Sequence, residues 1–125
     1  MNKQSIAIVG LGRVGSVFLE ELLSRPNKNI EVLAVAEKGD TSGTALAKKN
    51  NIPVLAIDDL IAKGDAIDIL FDLTGIPAVR KELREKFMAA DNRHTIIATE
   101  SIAQLIWSLI SNDVALPSVH VKTGY

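Results

Sequence analysis

The chain has 125 residues, carries 14 lysines and arginines against 15 aspartates and glutamates for a net charge of −1, and contains no cysteine. That length suits one domain spanning 1–125, burying roughly two-thirds of its unfolded surface and leaving no room for a separate substrate domain. The charge balance, with Arg80, Lys81, Arg84 and Lys86 interleaved by Glu82 and Glu85, excludes nucleic acid as an expected partner, and the missing cysteine excludes disulfides, thiolate nucleophiles and thiolate metal sites.

Met1 to Ser5 lead directly into the apolar run Ile6 to Val9, with neither a signal-peptide pattern nor a membrane-length stretch, so a cytoplasmic location is expected. Ile6 to Val9 reads as a central parallel strand buried on both faces. Gly10-Leu11-Gly12-Arg13-Val14-Gly15 follows, and Val14, Phe18, Leu19, Leu22 and Leu23 then recur at helical spacing. Strand, glycine turn and helix in this order form a seat for a diphosphate. Gly10 makes the tight turn, Gly12 admits the diphosphate to the backbone, and Gly15 lets the helix approach the sheet. The anion rests on free N–H groups at the positive end of the helix dipole. Arg13 either covers the phosphates or the adenine face, or stands solvated at the loop crest.

A turn at Pro26 to Asn29 precedes a second strand, Ile30 to Ala36, which ends in Glu37, twenty-two residues beyond Gly15. A carboxylate there accepts hydrogen bonds from the adenosine ribose hydroxyls and so favours NAD; NADP stays possible, because Lys38 offsets part of the repulsion. After Lys38-Gly39-Asp40, Thr41 or Ser42 caps a short helix that ends at Asn50-Asn51. Ile52 to Leu55 contains a proline and suits an edge strand. A helical stub around Asp58 to Ile61 leads to a fourth strand, Ala66 to Leu73. Pro77 then opens a helix running to about Ala90. Thr95 to Ala98 makes a fifth strand, and a last helix spans roughly Ser101 to Ser111. In the tail, 113–125, Ser118 to Lys122 alternates like a short sixth strand.

Strands alternating with helices define an α/β fold, a single doubly wound parallel sheet ordered 3-2-1-4-5 with right-handed crossovers. Ligands of such sheets bind beyond the strand carboxyl ends where the order reverses, so the glycine loop and the Asp72 to Gly75 turn face one another across a crevice. His94 precedes the fifth strand, at the end remote from that crevice, and reads as a surface residue, as does His120 in the tail. Asp72 reads as a strand-end carboxylate and Glu100 as a helix-start residue. No residue carries a catalytic assignment, and no His, Asp or Glu spacing suggests a metal site. On the last helix Ile102, Leu105, Ile106, Leu109 and Ile110 share one stripe, which Ala103 and Trp107 widen to about 200° against the roughly 100° that packing on a sheet requires. A homodimer or partner protein covering helix 101–111 is expected, the alternative being the tail folded back upon it.

Ile8 to Gly15, Val35-Ala36-Glu37-Lys38, Ile52-Pro53-Val54 and Ile69 to Gly75 together resemble the Rossmann-type cofactor domain of homoserine and aspartate dehydrogenases and of glucose-fructose oxidoreductase-type enzymes, over residues 4 to about 111. Thr74 to Val79, Glu82-Leu83-Arg84 and Leu105-Ile106-Trp107 are also similar to small Rossmann modules that precede sensory domains in bacterial signalling proteins. The resemblance implies that Gly10, Gly12, Arg13, Val14, Gly15, Glu37 and Lys38 contact the adenosine diphosphate half of the cofactor. By the same resemblance Thr74, Gly75 and Ile76 lie near the nicotinamide half. Where the oxidoreductases carry a Glu-Lys-Pro signature this chain reads Thr99-Glu100-Ser101-Ile102, so the catalytic lysine is not carried over. The implied function is an NAD(P)-binding module that senses a nucleotide or serves as a cofactor-binding subunit. The alternative is a dehydrogenase cofactor domain whose substrate part is lost or supplied by another chain.

Overall fold

The computed structural model describes residues 3–24 and 29–110. Four parallel strands, β1 (Gln4–Val9), β2 (Ile30–Ala36), β3 (Ile69–Asp72) and β4 (Ile96–Ala98), lie in the order β2-β1-β3-β4. The expected third strand is present as a single parallel bridge, Val54 to Val35, on the outer side of β2. The Pro53 carbonyl accepts from Val35 N–H at 3.0 Å and Leu55 N–H donates to the Val35 carbonyl at 2.7 Å. With no N–H of its own, Pro53 cannot extend that ladder. The spatial sequence of segments is therefore the anticipated 3-2-1-4-5, with its outermost member reduced to a bridge. The fourth strand also begins later than expected, at Ile69, because Gly64–Ala66 forms a 3-10 turn that Gly64 enters with φ of 59°.

Period-two alternation along the buried strands sends side chains to two faces. On one face Ile6, Ile8 and Phe71 pack against helices α1 (Arg13–Ser24), α2 (Ser42–Lys49) and α5 (Glu100–Ile110). The Phe18 and Phe71 rings meet there with centroids 5.0 Å apart. On the other face Ala7, Val9, Ala36 and Leu70 pack against Leu60 of α3 (Ile57–Ile61) and against Leu83 and Phe87 of α4 (Pro77–Ala89). Pro77 occupies the first turn of α4, as its missing N–H permits. Thr41 caps α2 through a reciprocal pair of bonds with Thr44.

At the amino ends of the strands the Asp68 carboxylate accepts from Ser5 N–H at 2.8 Å and lies 2.6 Å from His94 Nε2. His94 therefore sits at the pole opposite the glycine loop. On α5 the wide apolar arc divides between core and surface. Ala103 and Trp107 are the buried residues, at 0% and 7% exposure, whereas Ile102, Leu105 and Leu109 of the stripe stand out at 44%, 58% and 78%. Ala103 and Trp107 join the core with Ile106 packed beside them, which leaves Ile102, Leu105 and Leu109 outward. The tail 113–125, with His120 and the possible sixth strand, lies outside the described residues. Among the described residues no helix is long and apolar enough to cross a membrane.

Candidate functional site

The glycine loop is shaped by two close contacts and one open position. Gly10 has φ of 95°, in the left-handed region, and its N–H donates to the Ala36 carbonyl at 2.8 Å. A Cβ on Gly10 would stand 2.8 Å from the Thr74 backbone nitrogen, and one on Gly15 only 1.8 Å from the Gly10 carbonyl oxygen. Both positions thus have to be glycine for α1 and the Thr74 turn to close on the loop. A Cβ on Gly12 would meet nothing within 4 Å. The first turn of α1 contains no acidic residue, so the positive end of the helix is not answered by a carboxylate from within the helix. Ser16 Oγ donates to the Leu11 carbonyl at 2.7 Å and steadies the loop from inside the helix.

Glu37 occupies the end of β2. Its Oε1 accepts from Leu11 N–H at 2.7 Å and its Oε2 from Gly39 N–H at 2.9 Å. The carboxylate therefore ties the glycine loop to the turn after β2, a role that spacing alone did not reveal. Two of its roughly four lone-pair positions remain for other donors.

Across from the loop, the fully buried Asp72 accepts from Thr74 N–H at 3.1 Å and Thr74 Oγ1 at 2.7 Å, with Arg80 Nε 4.0 Å from its other oxygen. Asp72 is thus spent on shaping the Thr74-Gly75 turn, where Gly75 takes φ of 68°. Glu100 is also buried, in the first turn of α5.

These segments enclose one cleft of about 820 Å³, within the range typical of small-molecule and cofactor sites. The loop contributes Gly10, Gly12, Arg13 and Val14 to it; Glu37 and Lys38 come from the end of β2, and Thr74 and Ile76 from the opposite turn. Of the sequence-derived residues, Gly15 and Gly75 stand behind this lining and act on backbone shape. Sequence reasoning missed the far wall, made by Ile57 and Asp58 of α3 and by Val79, Glu82 and Lys86 of α4. Its available signal was the i, i+3, i+7 spacing of the last three.

An open backbone at a helix amino end, between a strand-end carboxylate and a facing turn, accommodates a dinucleotide's diphosphate and ribose. Residues 10–104 match the family described as homoserine dehydrogenase, NAD binding domain. Among solved structures, the crystal structure of GenD2 from gentamicin A biosynthesis in complex with NAD is similar at a TM-score of 0.52 and 20% identity. That likeness covers 79% of this chain and 34% of the GenD2 chain, so this chain spans about a third of that protein. No curated protein sequence matches significantly. The fold and these findings define an NAD-binding domain of the Rossmann type. The chain belongs to the homoserine dehydrogenase NAD-binding domain family.

Proposed function

We propose that the cleft holds NAD with its diphosphate over Gly12 and the amino end of α1, its adenosine ribose on Glu37 beside Lys38, and its nicotinamide half toward Thr74, Gly75 and Ile76. Arg13, exposed at the loop crest, is placed to cover the phosphates. The carrying observation is the contrast among the glycines: Gly10 and Gly15 are required by contacts within the protein, whereas Gly12 faces open space. A glycine that the fold itself does not need is what a closely approaching ligand explains. When bound, the nicotinamide supplies hydride acceptance or donation. The chain's own residues bind and orient the cofactor. Asp72 and Thr74 hold the turn on which the nicotinamide half would lie.

On this reading the domain, over 1–125, acts as a nucleotide-reading or cofactor-holding subunit, with the exposed α5 stripe as its surface for a second copy or a partner protein. The dehydrogenase reading shares the same cofactor site and fits the family equally; there the substrate groups come from another polypeptide segment. Turnover of a hydroxy acid, amino acid or sugar by this chain alone would overturn the binding-module reading, and turnover only once such a segment is supplied would decide for the dehydrogenase.

Thermal melting tests the site. A ligand at about a hundred times its dissociation constant adds roughly 2.7 kcal/mol to the folded state, about ten degrees for a domain of this size. NAD should produce that shift, and Gly12→Val should abolish it while melting near the parent temperature without ligand. No shift with NAD, NADH, NADP or NADPH would reject the assignment.

A further inference from the structure

The cleft does not end at the glycine loop and Glu37. It reaches α3 and α4, where Leu55, Ile57 and Val79 give it an apolar slot that Asp58, Glu82 and Lys86 also line. Lys86 Nζ lies 2.5 Å from Asp58 Oδ1 and 2.8 Å from Glu82 Oε2. The side chains of Lys86 and Glu82 are 35% and 40% exposed, that of Asp58 78%. The bonds to Asp58 and Glu82 push the Lys86 ammonium above its ordinary value, so it stays charged. An ion cluster this exposed contributes little if it only fastens α3 to α4. Its place on the wall of an apolar slot suits recognition instead.

An ammonium has three N–H donors, of which two are committed to Asp58 and Glu82, and the carboxylates keep lone pairs. The slot lining therefore presents a donor beside an acceptor. The complementary ligand is a flat apolar ring whose edge carries an acceptor next to a donor. Adenine has that edge, a ring nitrogen acceptor beside its amino group. We infer that Lys86, Glu82 and Asp58 read the base of the bound dinucleotide, with Lys86 donating to adenine N7, Glu82 accepting from the amino group and Asp58 holding Lys86 from α3. This rests on the cofactor placement proposed above. Hypoxanthine in the same position puts a carbonyl oxygen where adenine has the amine, setting an acceptor against the Glu82 carboxylate.

The test is calorimetric titration of the chain with NAD and with nicotinamide hypoxanthine dinucleotide, repeated for Glu82→Gln and Lys86→Met, with melting curves to establish that both variants are folded. NAD should bind the parent about tenfold more tightly than its hypoxanthine analogue, the equivalent of one hydrogen bond. Glu82→Gln should bring the two within about twofold, because its carboxamide can donate to the carbonyl oxygen. Lys86→Met should weaken NAD by several fold while the fold persists. Equal binding of the two dinucleotides by the parent, or an unchanged ratio in Glu82→Gln, overturns base reading and leaves the cofactor assignment standing. Binding of neither dinucleotide overturns both.

Discussion

A methyl group on Gly15 would stand 1.8 Å from the Gly10 carbonyl oxygen, whereas one on Gly12 would meet nothing within 4 Å. The motif already implies separate duties for these glycines, but the distances that make two of them obligatory emerge only when α1 and the sheet are placed. Glu37 illustrates the same limit. Its distance from Gly15 marks a strand-end acid, but its bonds to Leu11 and Gly39 N–H depend on how two turns come together in space. Those bonds change what a substitution should do. Glu37→Ala removes the proposed ribose acceptor and also frees the loop, so affinity for NAD should fall roughly ten- to hundredfold, the loss of one or two charge-assisted bonds. NADP should lose less, because a 2′-phosphate about 4 Å from the carboxylate is opposed by up to ~4 kcal/mol at an effective dielectric of 20. Titration of parent and variant with both cofactors measures the ratio, and a ratio unchanged by the substitution would mean that Glu37 serves the loop alone.

At the scale of elements, β1, β2 and the α1 start were legible because they rest on unbroken apolar runs and glycine spacing. Ile52 to Leu55 was legible as an edge segment, not in its brevity, since one bridge and a full strand share the same residues. The far wall between α3 and α4 stayed hidden because its members come from separated segments. Asp68 joins elements at the other pole. Its pKa is held below the ordinary value, first by the Ser5 N–H and then by His94. An acid depressed in the folded state contributes stability at pH above its unfolded value and loses it as pH falls toward the folded one. Thermal melting from neutral pH downward should therefore show the parent losing its advantage over Asp68→Asn once pH drops below about 4. A constant difference between the two across that range would mean that the contacts to Ser5 and His94 do not depend on the charge of Asp68.

On the scale of the whole molecule, an apolar excess on the last helix was legible and its direction was not. Periodicity fixes the arc, but whether the sheet takes Trp107 or Leu109 depends on the gap left over Phe71 and Ala98, and the indole fills it. Trp107→Glu would thus injure the core, and the surface is probed instead by Leu109→Glu, at 78% exposure. Light scattering at micromolar concentration should give a dimer for the parent and a monomer for Leu109→Glu with an unchanged melting temperature. A monomeric parent would remove self-association as the role of this face. The order of the sheet also bears on how the chain is made. β1 is the central strand, flanked by β2 and β3, yet it is synthesised before either. Its second neighbour begins at Ile69, about sixty residues after Val9, an interval of roughly 3–12 s at 5–20 residues per second. Throughout that time Ile6 to Val9 waits with one edge open, so the strand that leads into the glycine loop keeps an unpaired apolar edge while the intervening residues are made.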